Sequence, residues 1–309
     1  MALRRRRKTW DLLVVGGGVT GLTAANEAAR CGLITAVLEA QAGYGGQVGT
    51  VNVLDDWPAT AQASGVELAA ALATQARSHG VTLVQHGALA LTQHDEVWRV
   101  TTEADPLLSR YVLIASGARL RALGVPGEDA LRGKGVSQCA HCDGHFFRGQ
   151  DVAVVGGGDS ALQEALVLAP LCRSVSIIVR SRLRARRAYV DRAASATNIQ
   201  FVWDSVVEAV IGSTQVTGLR LRNLKTGALD ERACVAVFPF IGTEPNTGFL
   251  PDTMARDGAG RLITDVRLRT SLERVYAAGA ARSGYGGDLV SAAGEGAAAA
   301  REIARDIGG

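Results

Sequence analysis

The apolar positions along the chain form one pattern that occurs twice. Between Asp11 and Glu39 an apolar run, Leu12 to Val15, is followed by Gly16-Gly17-Gly18-Val19-Thr20-Gly21, an alanine-rich segment, and a second apolar run, Ile34 to Leu38, closed by Glu39. That order predicts strand, glycine turn, helix and strand. Asp151 to Arg180 repeats it 140 residues later: Val152 to Val155, Gly156-Gly157-Gly158-Asp159-Ser160-Ala161, a helix carrying Leu162, Ala165 and Leu166, then Val175 to Val179. Further strands are predicted at Arg110 to Ser116, Val235 to Ile241 and Arg274 to Ala278, ending at Gly117, Gly242 and Gly279, with sheet segments at Val81 to Val84, Val97 to Thr101 and Val216 to Arg222. Small residues at strand ends let a flat ligand lie close to the backbone.

The repeat predicts an α/β fold of two Rossmann-like nucleotide-binding domains, the second inserted into the first. Segments 11–118 and 245–309 form the outer domain, 122–242 the inserted one, and 1–10 a basic tail. Arg119 to Pro126 and Pro239 to Pro245 are the expected connections or hinges.

Each turn matches G-x-G-x-x-G/A between a strand and a helix, the context that makes the motif specific. Gly16 permits the tight turn, Gly18 lets the backbone approach a pyrophosphate, and Gly21 lets helix and strand pack closely. The helix N-terminus then offers free N–H groups to the phosphates. Glu39 stands where a carboxylate would accept hydrogen bonds from a ribose. In the second turn Ala161 fills the third glycine slot. No acid ends its second strand; Arg180, Arg182, Arg184, Arg186 and Arg187 follow instead. They suit an extra phosphate, with a solvated basic face as the alternative reading.

Composition narrows the picture. With 47% hydrophobic and 20% charged residues the chain is expected to fold, and 37 glycines without any low-complexity run point to turns and ligand loops. The net charge is +3, of which Arg4, Arg5, Arg6, Arg7 and Lys8 carry five, so the remainder is slightly acidic and nucleic acid is not an expected partner. The basic run reads as a solvated tail, with weak attraction to an anionic membrane surface as the alternative. It does not resemble a secretory signal, because its apolar stretch stops at Gly16. No run approaches the ~20 apolar residues of a spanning helix, and a soluble cytoplasmic protein is expected.

Five cysteines, Cys31, Cys139, Cys142, Cys172 and Cys234, are too few and too scattered for a secreted disulfide framework. Cys139 and Cys142 have a C-x-x-C spacing, which places both sulfurs on one side of a helical first turn within reach of a disulfide. Asp143 is a candidate proton donor to the leaving thiolate. Zinc is the competing reading, with His145 as a third ligand, but a structural zinc site normally takes ligand pairs from two elements and no second C-x-x-C exists. Cys31, Cys172 and Cys234 lie in apolar patterns and are expected in the core.

The order of these motifs resembles the low-molecular-weight thioredoxin reductases: the first glycine turn, Gly45-Gly46-Gln47, Ile114-Ala115-Ser116-Gly117-Ala118, the C-x-x-C with Asp143-Gly144, the second turn, Gly242-Thr243-Glu244-Pro245-Asn246, Ala278-Gly279 and Ala292-Ala293-Gly294-Glu295-Gly296. The resemblance runs from Asp11 to the C-terminus. It implies FAD held by Gly16, Gly18, Gly21, Glu39, Gly45, Gly46, Gln47, Ser116, Gly117, Gly279, Ala280, Asp288 and Leu289. It also implies a homodimer, and electrons passing from the flavin through a Cys139–Cys142 disulfide to a protein disulfide such as that of thioredoxin. Cys142 would face the flavin, Cys139 would attack the partner disulfide, and Asp143 would be the acid.

Three departures qualify the resemblance. Val179, Arg180 and Ser181 stand where the family has the His-Arg-Arg that holds the NADPH 2′-phosphate, so weak NADPH binding is expected. Ala280 replaces a flavin-binding aspartate, and Gly287-Asp288 replaces Arg-Gln before the last helix. Some relatives take electrons from ferredoxin or hold a second flavin. The loop around Tyr285 would make room for a second FAD, with Gly156, Gly158, Asp159, Ser160, Arg180, Arg182 and Tyr285 forming the second nucleotide site. The leading expectation is a flavin-dependent disulfide oxidoreductase not driven by NADPH. An ordinary NADPH-dependent reductase and a nucleotide-binding redox sensor without turnover are the alternatives.

Overall fold

A computed structural model describes residues 8–51, 53, 54, 57, 58 and 63–308. Arg4 to Arg7 of the basic tail lie outside the described residues, whereas Lys8 holds its ammonium 3.7 Å from the centre of the Trp10 ring. The chain divides into two compact units, Met1–Arg119 with Glu244–Gly309, and Leu120–Thr243.

In the first unit β1 (Thr9–Val15), β2 (Thr35–Leu38), β3 (Thr82–Val84), β4 (Ala90–His94), β5 (Val97–Thr101) and β6 (Leu107–Ile114) form a sheet in the order β3-β2-β1-β6-β5-β4. Pairing is parallel from β3 to β6 and antiparallel through β5 and β4. Leu12, Leu13 and Val14 are fully buried in succession, because a central parallel strand is covered on both faces and has no polar side to alternate with. Helices α1 (Val19–Arg30) and α2 (Gly65–Ser78) follow β1 and precede β3. Ser64 and Glu67 close a capping box at the start of α2, with Ser64 Oγ accepting the Glu67 N–H at 3.2 Å.

The chain passes into the second unit through β7 (Ala118–Leu120) and the redox segment α3 (Ala140–Asp143). There β8 (Asp151–Val155), β9 (Ser174–Val179), β10 (Ile199–Trp203) and β14 (Ala236–Pro239) make a parallel sheet in the order β10-β9-β8-β14. Helices α4 (Asp159–Leu168) and α5 (Arg187–Ser195) belong to it, and β11 (Ser205–Gly212), β12 (Val216–Asn223) and β13 (Leu229–Ala233) form an antiparallel meander. Only β12 of that meander is legible as sheet in the sequence, since β13 reads Leu-Asp-Glu-Arg-Ala and lies largely exposed. β15 (Thr243–Pro245) pairs with β7 as the chain returns, β16 (Val275–Ala277) joins β6, and α6 (Leu289–Gly308) ends the fold. No helix among the described residues is long and apolar enough to cross a membrane.

Cys172 and Cys234 are buried as expected, and desolvation pushes their thiols up to about 11 and about 12. Cys31 corrects the expectation: it is exposed, because it caps the C-terminal end of α1 rather than facing the sheet.

The last helix is pinned to its sheet by Asp306. Tyr276, almost fully buried, donates to Asp306 Oδ2 at 2.5 Å, and Arg269 pairs with Asp306 Oδ1 at 2.6 Å while donating to the Tyr276 hydroxyl at 3.2 Å. Burial first, then the Asp306 hydrogen bond, pushes the Tyr276 phenol up to about 12. A raised folded-state value favours the protonated phenol, so this contribution is complete below the free tyrosine value near 10 and is lost as pH rises to about 12. Tyr276→Phe is expected to lower stability by about 1.5–3 kcal/mol, the worth of a hydrogen bond to a charged group. Denaturant titration at pH 8 and pH 11 checks this: the difference between parent and variant should shrink at the higher pH.

Candidate active site

The first glycine turn is built by close backbone approach. Gly16 has φ +112°, and a Cβ there would overlap the Ala115 carbonyl; a Cβ on Gly21 would overlap the Gly16 carbonyl. Gly18 caps α1 with no side chain, and no acid occupies the first helical turn, which leaves the helix N–H groups available to an anion. Opposite it, Gly45 (φ +119°) donates its N–H to the Gly17 carbonyl at 2.8 Å, and a Cβ on Gly46 would stand 3.3 Å from Gly18 Cα. Glycines on both sides thus form a cradle that side chains would fill.

Glu39, 8% exposed, ends β2 beside this cradle. Its Oε2 accepts the Gly17 N–H at 2.7 Å and its Oε1 accepts the Gln41 N–H at 2.8 Å, which fixes the carboxylate while leaving lone pairs for ribose hydroxyls. Gln47 donates its side-chain amide to the Ala118 carbonyl. Ser116 and Asn246 are tied reciprocally, Ser116 Oγ donating to the Asn246 carbonyl at 2.7 Å and the Asn246 amide to the Ser116 carbonyl at 2.9 Å, with Gly117 at φ +66° between strand and connection. These residues, with Gly279, Ala280, Asp288 and Leu289, all belong to the first unit. The cradle, the uncapped helix and the fixed carboxylate fit the pyrophosphate and ribose of FAD.

The turn at Gly279 and Ala280, expected beside the flavin, is held by a distant carboxylate. Gly279 (φ +72°) donates its N–H to Glu295 Oε2 at 2.7 Å, and Glu295 also accepts from two of the three guanidinium nitrogens of Arg282, Nε at 2.9 Å and a terminal nitrogen at 3.1 Å. A carboxylate therefore stands at this turn although Ala280 has none; it comes from α6, fifteen residues downstream of Ala280. Reading the sequence locally misses it. Asp288 caps α6, its Oδ1 accepting the Ser291 N–H at 2.7 Å, with Leu289 as the first helical residue. Tyr285 packs its ring on the cluster of Val19, Val48, Leu54, Ala69 and Ala292 and donates its hydroxyl to the Asp288 carbonyl at 2.6 Å.

The second turn keeps the same construction. Gly156 has φ +146°, where a Cβ would overlap the Phe240 carbonyl, and Gly158 caps α4 with no side chain. Asp159 in the first turn of α4 accepts the Arg186 N–H at 2.6 Å and pairs with its guanidinium at 3.3 Å, which draws its charge toward the arginine-rich segment. Ser160 is exposed at this helix start, and Arg180 and Arg182 are exposed beyond the end of β9. These six residues belong to the second unit, and Tyr285 to the first.

Cys139 and Cys142 form a disulfide, with Cα atoms 5.3 Å apart. The pairing commits both sulfurs and leaves no thiolate for zinc in this state. The Cys142 N–H points at Cys139 Sγ from 3.1 Å, Ser137 Oγ accepts the Cys139 N–H at 3.1 Å, and Asp143 completes α3 with its N–H on the Cys139 carbonyl at 3.1 Å. Glu164 of α4, not anticipated from the sequence, accepts the Ala140 N–H at 2.7 Å. His141 between the cysteines is pushed below the ordinary histidine value by burial and then by His145.

Residues 10–297 match the model of the pyridine nucleotide-disulphide oxidoreductases. The chain belongs to this family. It is 40% identical over 300 residues to the thioredoxin reductase of Treponema pallidum, covering 96% of this chain and 97% of that one. The crystal structure of Lactococcus lactis thioredoxin reductase in its FR conformation superposes with a TM-score of 0.93 at 34% identity, covering 97% and 99% of the two chains. The thioredoxin reductase of T. acidophilum gives 0.92 at 30% identity over 98% and 100%. Within the family this is a flavoprotein disulfide oxidoreductase of the low-molecular-weight thioredoxin reductase type, with two Rossmann-like domains. Glu39→Ala would leave two N–H groups without acceptors, each costing about 1–3 kcal/mol, and is expected to lower the flavin-to-protein ratio of the purified protein several-fold. Absorbance of the released flavin checks it.

Proposed function

We propose that the protein is a thioredoxin reductase that draws two electrons from NADPH at the second glycine turn and passes them, through FAD, to Cys139–Cys142 and on to the disulfide of thioredoxin. One observation supports the donor: Arg180, Arg182 and Arg184 are exposed, and their guanidinium groups have no partner among the described residues. They bracket Gly157, whose carbonyl accepts the Arg184 N–H at 2.6 Å and whose added Cβ would lie 3.1 Å from the Arg182 carbonyl. Unpaired guanidiniums beside a dinucleotide turn suit a 2′-phosphate. Their positions differ from the expected His-Arg-Arg, but charge at the strand end is retained.

FAD held in the first cradle supplies a ring that accepts a hydride and returns an electron pair. The residues of the redox segment govern the exchange steps. When the Cys139–Cys142 bond opens, the Cys142 N–H remains aimed at Cys139 Sγ and favours the thiolate there. Cys139 Sγ attacks one sulfur of the thioredoxin disulfide, and a mixed disulfide forms as the thioredoxin bond breaks. Cys142 Sγ then attacks Cys139 Sγ, which re-forms the disulfide and releases thioredoxin as a dithiol, with Asp143 delivering the proton that the departing sulfur takes up.

A donor other than NADPH, a second flavin or ferredoxin, is the second reading, favoured by Gly287 at φ +88°, where an added Cβ meets no atom. Anaerobic titration distinguishes the two. NADPH is expected to bleach the flavin. Replacing Arg180, Arg182 and Arg184 by Ala is expected to weaken NADPH at least a hundredfold, leaving NADH unchanged, since one or two charge-assisted bonds to the 2′-phosphate, each worth about 1.5–3 kcal/mol, already account for that factor. A flavin that neither nucleotide bleaches would overturn the donor and leave the second reading. Cys142→Ser should keep FAD and lose thioredoxin turnover, measured by the rate of thioredoxin reduction.

A further inference from the structure

A charged side chain from outside the redox segment holds its backbone. Within Ser137 to Asp143 the N–H groups of Cys139, Cys142 and Asp143 are satisfied inside the segment, by Ser137 Oγ, Cys139 Sγ and the Cys139 carbonyl. The Ala140 N–H is not; it donates to Glu164 Oε2 at 2.7 Å. Glu164 lies on α4, the helix that starts at the second glycine turn, and α4 packs directly on α3.

This contact has an electrostatic sign opposite to that of the neighbouring one. The Cys142 N–H presents positive charge to Cys139 Sγ, whereas the Ala140 N–H, adjoining the same cysteine, is covered by a carboxylate. Glu164 is half-buried, and no Lys or Arg pairs with it among the described residues, so its charge is weakly screened. Burial pushes its carboxyl above the ordinary value, with the Ala140 N–H pulling the other way.

We infer that Glu164 is a positioning residue that makes the Cys139–Cys142 dithiol a stronger reductant. Opening the disulfide consumes the electron pair that the flavin supplies and one or two protons, leaving a Cys139 thiolate and a Cys142 thiol or two thiols. A carboxylate beside Cys139 disfavours the thiolate and therefore the reduced form, so the electrons leave more readily for a partner disulfide. The inference rests on Cys139–Cys142 being the pair that exchanges, as in the proposed function.

The test uses the flavin-loaded full chain equilibrated in dithiothreitol buffers, with the oxidised fraction of Cys139–Cys142 read by alkylation and mass. Glu164→Gln keeps an acceptor for the Ala140 N–H and removes the charge. It is expected to shift the equilibrium toward the dithiol about tenfold, about 30 mV for two electrons, and to speed alkylation of reduced Cys139 several-fold at pH 7. Glu164→Asp, which keeps the charge, is expected to stay within twofold of the parent. A Gln variant that matches the parent in both readouts, or an Asp variant that shifts as far as Gln, would overturn the inference. So would a Gln variant that loses flavin or helix content while Asp keeps both, since the carboxylate would then serve the fold. A parent whose two cysteines never exchange with dithiothreitol would instead defeat the reading of the redox pair itself.

Discussion

The close backbone approaches at Gly16 and along the first turns of α1 are the constraint on which the first unit depends. Gly16 lies against the Ala115 carbonyl, Gly21 against Gly16, and on the far side of α1 a Cβ on Gly296 would overlap the Thr20 carbonyl. The chain just after β6 therefore meets the turn after β1, and helix α6 meets α1, with no side chain between the backbones. The approach brings bare N–H groups and the uncapped start of α1 to one place, which is what a pyrophosphate requires. It also fixes Glu39, whose carboxylate completes the turn by holding Gly17.

The same construction recurs in the inserted unit with a different electrostatic setting. There the acid in the first turn, Asp159, is drawn to Arg186, and the strand end carries cations instead of a ribose-binding carboxylate. One backbone geometry thus supports two ligand preferences, set by the residues at the end of the second strand. The redox helix α3 leans on the helix that begins at this second turn, so the nucleotide half and the disulfide half of the inserted unit share a single packed interface.

The features legible in the sequence obey short-range rules. The two glycine turns announce themselves because strand, turn and helix are contiguous, and the nested α/β arrangement comes from their repeat. The Cys139–Cys142 pair is legible from spacing. The features that were not legible depend on distant residues or on which way a helix faces. Cys31 sits in an alanine-rich run whose apolar face is too broad to read, and it falls on the exposed end. Glu295 reaches the Gly279 N–H only because α6 returns beside β16, and Glu164 reaches the Ala140 N–H only because α4 lies against α3. The Ser64 and Glu67 pair at the start of α2 is a readable signal that the apolar pattern alone does not use.

The pairing of β7 with β15 has a practical consequence. The strands by which the chain leaves the outer unit and comes back to it are hydrogen-bonded neighbours, with Arg121 donating to the Gly242 carbonyl at 2.9 Å, so the two ends of the inserted unit lie about 5 Å apart. A domain whose termini adjoin in this way can be excised without breaking its core, and the gap left in its host can be spanned by a turn of a few residues. The inserted unit is thus a self-contained module, built on the same strand, glycine turn and helix as its host and carrying its own disulfide, whose place in the outer unit costs little in topology.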